Sequence, residues 1–267
     1  MTWSPAPGVV ILLVTALVLY ARAVHRLGTR GYAVPRPQQA AAYTGLLLTA
    51  IALASPLDDL GAELLGLHMA QHLLIADLAA PLLLAGIRWP VHVHLLPRAV
   101  LVPLARRKRL RKAFAAVRRP VAAVVIYVTL LYFWHLAPFM EAAVRNDFVH
   151  TLQHQSFVLG SVLVWWPALE PHRRRLRGAL WKIGHVLAAR IGGMFLGMAL
   201  ILTREPIYDV YVETAPRRGL SPVADQQLAG GLMLSLDFFV VMFALSFFFW
   251  HAARQEDIDR AAPHRAV

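Results

Sequence analysis

Apolar residues run along this chain in seven long blocks, separated by shorter polar or basic segments. The blocks are about 16 to 25 residues long, close to the roughly 20 residues that an α-helix needs to cross the hydrocarbon core of a bilayer. The pattern predicts an all-α fold, a polytopic membrane bundle of seven transmembrane helices. The predicted spans are about 8–24, 40–56, 64–86, 121–136, 150–169, 180–203 and 226–250.

The composition agrees with a chain embedded in lipid. Hydrophobic residues make up 58% of the sequence and the mean hydropathy is +0.54, above the roughly half-apolar usage of soluble domains. No linker, low-complexity segment or repeat divides the chain, so we expect a single membrane domain over residues 1–267. The sequence contains no cysteine, which excludes disulfides and thiolate metal sites.

The distribution of charge predicts the orientation in the membrane. In a soluble protein the net charge of +12 would point to nucleic acid, but here twenty of the 27 Lys and Arg residues lie in alternate loops. Because basic loops are retained in the cytoplasm, the amino terminus is expected outside and the carboxyl terminus inside, and no nucleic-acid partner is expected. The basic loops are segments 25–39, 87–120, 170–179 and 252–267.

Two of the loops carry more specific expectations. Segment 87–120 contains the densest basic run, 106–112, which is expected to contact anionic membrane lipids, although topology retention alone would account for it. Segment 204–225 is nearly neutral and is expected to fold as a cap over the outer end of the bundle.

Two predicted spans begin with the same pattern, His-x-x-x-His. The pairs are His68 with His72 and His150 with His154. Residues four apart share one helix face, so each pair can present two imidazoles to a metal. A single such pair is a weak signal, because a histidine in a helix is usually a satisfied polar group. His135, at the outer end of the fourth span, falls at a similar depth.

Methionines extend this cluster. Met194 and Met198 also lie four residues apart and fall within about 13 Å of the predicted outer end of the sixth span. Methionine in a membrane helix is usually core filler, but imidazole with thioether is the ligand set that Cu(I) accepts. The sequence therefore predicts an outer-leaflet copper site drawn from four helices.

A deeper layer contains ionisable residues. Asp77, Arg190 and Asp237 all fall near the middle of the bilayer, where charges are costly and therefore tend to pair. We expect Arg190 to bridge the two carboxylates, either as a structural clamp or as a proton relay. On the last span, Gln226, Gly230, Met233 and Asp237 share one face that should look into the bundle, and Gly230 and Gly231 should permit close approach of a neighbouring helix.

Five short segments together resemble one known family. They are 55–57 (Ser-Pro-Leu), 68–74 (His-Met-Ala-Gln-His-Leu-Leu), 134–136 (Trp-His-Leu), 150–154 (His-Thr-Leu-Gln-His) and 225–230 (Asp-Gln-Gln-Leu-Ala-Gly). In order and spacing the chain is similar to the bacterial CtaG family, multi-span assembly factors for caa-type cytochrome c oxidase. Two departures are Leu234, where the family often has tryptophan, and Gln153, where glutamate is common.

The resemblance implies a protein of the bacterial plasma membrane that acts with cytochrome c oxidase subunits during oxidase maturation through copper handling. It is therefore expected to be an assembly factor and not an enzyme. The positions to which the resemblance carries a role are His68, His72, His135, His150, His154 and Gln227.

Other classes of function remain open from the sequence. Facing histidine pairs could hold haem in a membrane oxidoreductase. Three histidines with an open position could hold zinc in an intramembrane hydrolase. The hydrolase needs a carboxylate base, yet Glu63 and Asp77 are each five residues from a histidine, about 140° round an α-helix. A transporter is the last alternative, without an inverted repeat to support it.

Overall fold

The computed structural model describes residues 6–169 and 180–261, and their regular structure is helical throughout, with no β-strand in these ranges. The all-α class is therefore confirmed for this part of the chain. The predicted cytoplasmic segment 170–179 lies outside the described residues. The α-helices are α1 (Pro7–Gly28), α2 (Arg36–Leu53), α3 (Leu57–Gly61), α4 (Leu65–His72), α5 (Ala80–Gly86), α6 (His92–Leu95), α7 (Arg98–Arg106), α8 (Lys108–Val117), α9 (Pro120–His135), α10 (Ala137–Arg145), α11 (Asp147–Leu169), α12 (Leu180–Leu202) and α13 (Pro222–Ala261).

Four helices in the described ranges are long and apolar enough to cross a membrane. A fifth span results if α8 and α9, which are bent by 76° at their junction, are counted together. The predicted spans 40–56 and 150–169 fall on α2 and α11, which are helical but more polar, since α11 carries His150, Gln153 and His154. The protein is thus a helical membrane protein, while the count of seven and the orientation stay predictions. The four helices are Pro7–Gly28, Leu65–Gly86, Trp181–Leu202 and Pro222–Arg254.

Prolines define several helix ends. Pro120 stands at the start of α9, and Pro138 stands in the first turn of α10. Proline fixes φ near the helical value and lacks an N–H, so it starts a helix well and cannot continue one. Because Pro138 cannot donate to the preceding turn, α9 ends at His135 and Leu136 is extended.

A π-helical segment, Leu73–Ala79, joins α4 to α5 without a break. The change of hydrogen-bond pattern frees backbone groups, and the carbonyl of Ala76 accepts a hydrogen bond from the buried hydroxyl of Ser161 on α11. Short π segments inside α-helices are frequent at functional sites. Asp77, one of the deep carboxylates, lies within this segment.

Helices α12 and α13 approach most closely where glycines face each other. A Cβ on Gly230 would lie 2.5 Å from the carbonyl oxygen of Gly197, so neither helix can carry a side chain there. Gly231 has open space around its Cα and does not take part. The predicted close approach on the last span is therefore confirmed for Gly230 alone of the two neighbouring glycines.

The segment between α12 and α13, residues 203–221, folds across one end of the bundle, as the sequence predicted; we call it the cap. Tyr208 donates a hydrogen bond to the carbonyl of His135 at 2.9 Å, and Tyr211 donates to the carbonyl of Gly61 at 3.0 Å. Both tyrosines are buried. The cap thereby covers the helix ends that carry the histidines.

Candidate metal site

Four histidines from two helices form a group beneath the cap, which we call the quartet; three are buried and His150 is partly buried. His68 and His72 come from α4, and His150 and His154 come from α11. Ring centroids of His68 and His150 are 5.0 Å apart, and those of His72 and His154 are 4.9 Å apart. Within each helix the two rings are 4.4 Å and 4.1 Å apart. The two histidine pairs predicted from the sequence therefore lie against each other.

The start of each helix fixes where its histidines lie, because α4 and α11 each begin three residues before their first histidine. The carboxylate of Asp225, on α13, accepts hydrogen bonds from the backbone N–H groups of Leu65 and Gly66 at 2.6 and 2.9 Å. The side-chain oxygen of Asn146 does the same for Phe148 and Val149 at the start of α11. Such caps satisfy the free N–H groups of a first helical turn and fix where the helix starts.

Three of the quartet have the geometry of a metal site. One ring nitrogen each from His68, His72 and His150 lie within 4.8 Å of one another. Buried ring nitrogens of all four histidines lack a hydrogen-bond partner, namely Nε2 of each and also Nδ1 of His72. Buried polar atoms normally have partners, so a converging set of free imidazole nitrogens fits a bound metal ion. The neutral donors suit a soft ion such as Cu(I).

His135 lies outside the quartet but close to it. Its Nδ1 is 2.7 Å from the carbonyl oxygen of Leu131, one turn earlier in α9. That contact requires the proton to be on Nδ1, which leaves the Nε2 lone pair free, and Nε2 is buried without a partner. A backbone carbonyl that orients the other nitrogen is typical of ligating histidines.

The structure does not gather the predicted methionines. Met198 is 44% exposed on the outer surface of α12, and Met194 is only partly buried. Two other thioethers, those of Met69 and Met233, line one cavity with His72 and His135, and Met140 contacts Gln153; all three methionines are buried. Met69 could have been found from its place between the first two histidines, whereas nothing in the sequence marks Met140.

The predicted glutamines have separate roles. Gln226 is buried and binds the cap, since its Oε1 accepts from the backbone N–H of Ile207 at 2.8 Å. Gln227, to which the family resemblance carried a role, is exposed and donates to the carbonyl of Ile201. Gln153, between the second pair of histidines, is fully buried and donates to the sulfur of Met140.

The deep charges form the cluster that the sequence predicted. Nη1 of Arg190 lies 2.5 Å from Asp77 and 3.1 Å from Asp237, and all three side chains are buried. The hydroxyl of Tyr127 lies 3.4 Å from the same nitrogen. The cluster thus joins four helical segments, and its Arg190 keeps two further nitrogens, Nε and Nη2, without partners.

A small cavity of about 30 Å³ connects the histidine layer to the charge cluster; we call it the chamber. His72 and Asp77 both line it, although an α-helix would turn them about 140° apart. The expectation from α-helical geometry is therefore wrong here, because the π segment brings residues five apart to the same side. The lining is Met69, His72, Leu73, Ala76, Asp77, Tyr127, Leu131, His135, Phe157, Gly193, Met233 and Asp237.

An ion pair holds the cap at its edge. Arg218 donates from Nε and Nη2 to the carboxylate of Glu63, which precedes α4. This contact lowers the pKa of Glu63 and raises that of Arg218. Glu63 is therefore paired with Arg218 of the cap, and Asp77 is paired with Arg190. These were the two carboxylates considered from the sequence as a hydrolytic base, and neither is unpaired.

Two curated proteins are similar to the chain over most of its length. An uncharacterized protein of Mycobacterium bovis and one of Mycobacterium tuberculosis are each 25% identical to the chain over 246 residues, 89% of its length. The chain spans 37% of the length of these relatives. No solved structure matches.

A family match covers most of the sequence. Residues 18–255 match the family described as cytochrome c oxidase caa3 assembly factor, Caa3_CtaG. The matched range contains the quartet, His135, the cap and the charge cluster. The chain therefore belongs to the cytochrome c oxidase caa3 assembly factor family.

Proposed function

We propose that this protein binds Cu(I) in the quartet and passes it to a cytochrome c oxidase subunit during assembly. The observation that carries the proposal is the convergence of three buried imidazole nitrogens within 4.8 Å of one another. Buried, unpartnered imidazoles are costly unless something binds them. Their neutral donors match the preference of Cu(I).

The arrangement of the quartet favours transfer over catalysis. Imidazole ligands from two helices hold a soft ion without thiolate, which keeps the ion exchangeable. The cap closes the quartet from the nearby end of the bundle through Tyr208 and Tyr211, so its opening would give an acceptor access. No group-transfer step is needed, and we propose an assembly factor instead of an enzyme.

The topology that supports this function has seven spans in one membrane domain, with the amino terminus outside. The basic loops then lie in the cytoplasm and the cap lies on the outer face of the bacterial plasma membrane. In this orientation the quartet opens toward the extracytoplasmic side. Reversing the topology would move the same site to the cytoplasm.

Anionic lipids are proposed as a second class of partner. Helix α8 and Arg118, which directly follows it, line an open groove of about 520 Å³ on the basic side. Residues 87–120 contain ten Lys and Arg and no Asp or Glu, so the segment is uniformly basic. The guanidinium of Arg118 lies over the rings of Phe114 and Trp166, which anchors the groove to α11. The groove is lined by Lys108, Arg111, Lys112, Phe114, Ala115 and Arg118.

The geometry disfavours the haem alternative. Ligand sites of cofactor size occupy roughly 300 Å³ or more, whereas the cavity that adjoins the histidines measures about 30 Å³. The zinc hydrolase is disfavoured because Glu63 and Asp77 are already paired.

Metal analysis of the full-length protein in detergent tests the proposal. Anaerobic loading with Cu(I), followed by desalting, should leave copper on the wild type and none in the quartet on the variant His72→Ala with His154→Ala. His25→Ala, an exposed histidine at the end of α1, is the matched control and should retain copper. Unchanged copper in the double variant would refute the assignment, and a Soret band in the purified protein would establish haem instead.

A further inference from the structure

The chamber below the quartet contains donor groups that the quartet does not use. His72 is the only quartet residue that lines it, and His135, Met69 and Met233 line it as well. These four side chains come from three separate helices, α4, α9 and α13. All four are more than nine-tenths buried.

The two histidines have nitrogens free for this chamber. In His72 both ring nitrogens are buried without partners. A neutral imidazole has a single nitrogen lone pair, so His72 can offer it either to the quartet or to the chamber, one at a time. In His135 the contact with Leu131 leaves the Nε2 lone pair available, and Nε2 has no partner either. Buried polar atoms in a protein core normally have a hydrogen-bond partner, and these ring nitrogens of His72 and His135 have none.

The charge below the chamber also suits a monovalent cation. Asp77 and Asp237 carry two negative charges in their ordinary ionised forms, and Arg190 carries one positive charge. The cluster therefore has one more acidic than basic group, beside a cavity lined by imidazole and thioether groups. A single Cu(I) ion would balance it, which matters because unbalanced charge is costly inside a membrane.

We propose that the chamber is a second Cu(I) position, held by His135 and the thioethers of Met69 and Met233. It rests on the proposed function, since it assumes that the quartet takes the same ion. His72 belongs to the quartet and also lines the chamber, so the two positions are consecutive along one path from the cap toward the charge cluster. The protein thus holds two copper ions in line and not one.

Copper stoichiometry tests this directly. The full-length protein is titrated anaerobically with Cu(I) in detergent against a chromogenic Cu(I) chelator, and bound copper is counted per chain. Two equivalents are expected for the wild type and one for His135→Ala. One equivalent in the wild type would overturn the second position while leaving the quartet intact, and zero would overturn both proposals.

A second pair of variants guards against loss of fold. Met69→Leu with Met233→Leu preserves volume and removes only the sulfur atoms, and it should weaken the second equivalent by tenfold or more. X-ray absorption at the copper edge should then lose a sulfur contribution that the wild type shows. Met198→Leu, an exposed methionine, is the control and should change neither value. Nitrogen ligation alone in the doubly loaded wild type would contradict the role of the thioethers.

Discussion

The carboxylate of Asp225 accepts a hydrogen bond from the backbone N–H of Leu65 at 2.6 Å, across 160 residues of sequence. The contact ties the start of α13 to the start of the helix that carries His68 and His72. Gly66 contributes a second hydrogen bond to the same side chain, and an added Cβ there would come within 3.1 Å of its Oδ1. One acidic residue therefore sets the position of half of the quartet.

Replacing Asp225 with Ala should destabilise the protein and weaken copper retention together. Two buried N–H groups would lose their acceptor, at a cost of about 1–3 kcal/mol each. Asp225→Asn keeps one acceptor oxygen and should lose less. Thermal unfolding followed by tryptophan fluorescence gives the order wild type, Asn, Ala. Equal midpoints for Asn and Ala would contradict the capping role.

Removing Arg190 alone should prevent assembly of the bundle. Arg190→Met leaves two buried carboxylates without a partner, which costs about 3–5 kcal/mol. Adding Asp77→Asn and Asp237→Asn removes the excess charge and should restore a monodisperse peak in size-exclusion chromatography. A triple variant that assembles yet no longer supports oxidase maturation would show that the cluster does more than clamp helices.

The cap should loosen in acid. Glu63 has a lowered pKa in the folded protein because Arg218 donates to it, so its contribution is complete above its ordinary pKa of 4.5 and is lost as the pH falls through the lowered value. Hydrogen–deuterium exchange in residues 203–221 should therefore rise below about pH 4.5. Glu63→Gln cannot ionise, so its exchange should be raised already at neutral pH and should change less with pH.

Because the chain lacks cysteine, single cysteines can report the topology. Glu213→Cys places a thiol in the cap, where the side chain is 85% exposed, and Ala116→Cys places one on the basic helix α8. In spheroplasts a membrane-impermeant maleimide should label position 213, and should label position 116 only after permeabilisation. The opposite pattern would reverse the proposed orientation.

The sequence predicted those features that depend on spacing along one helix. His68 with His72 and His150 with His154 share faces because residues four apart on an α-helix always do. Arg190 pairs with Asp77 and Asp237 because an unpaired charge is costly inside a membrane. It could not say which face of α12 looks inward, so Met198 was assigned to the site and proved exposed. The position of Met140 depends on the change of direction between α9 and α10 at Pro138. The spacing of residues along a single helix could not predict that position.

The π segment Leu73–Ala79 holds about one residue more than the α-helical winding that it replaces. Deleting one residue there would therefore restore the α-helix while the helix beyond keeps its direction. Gly86, whose missing side chain lets α2 approach at Ala42, would stay against that helix. Deleting Leu78, however, would leave Asp77 five α-helical residues from His72, about 140° round the helix, and so turn its carboxylate away from the chamber. The extra residue therefore sets the direction of one carboxylate without disturbing the packing of the rest of the span.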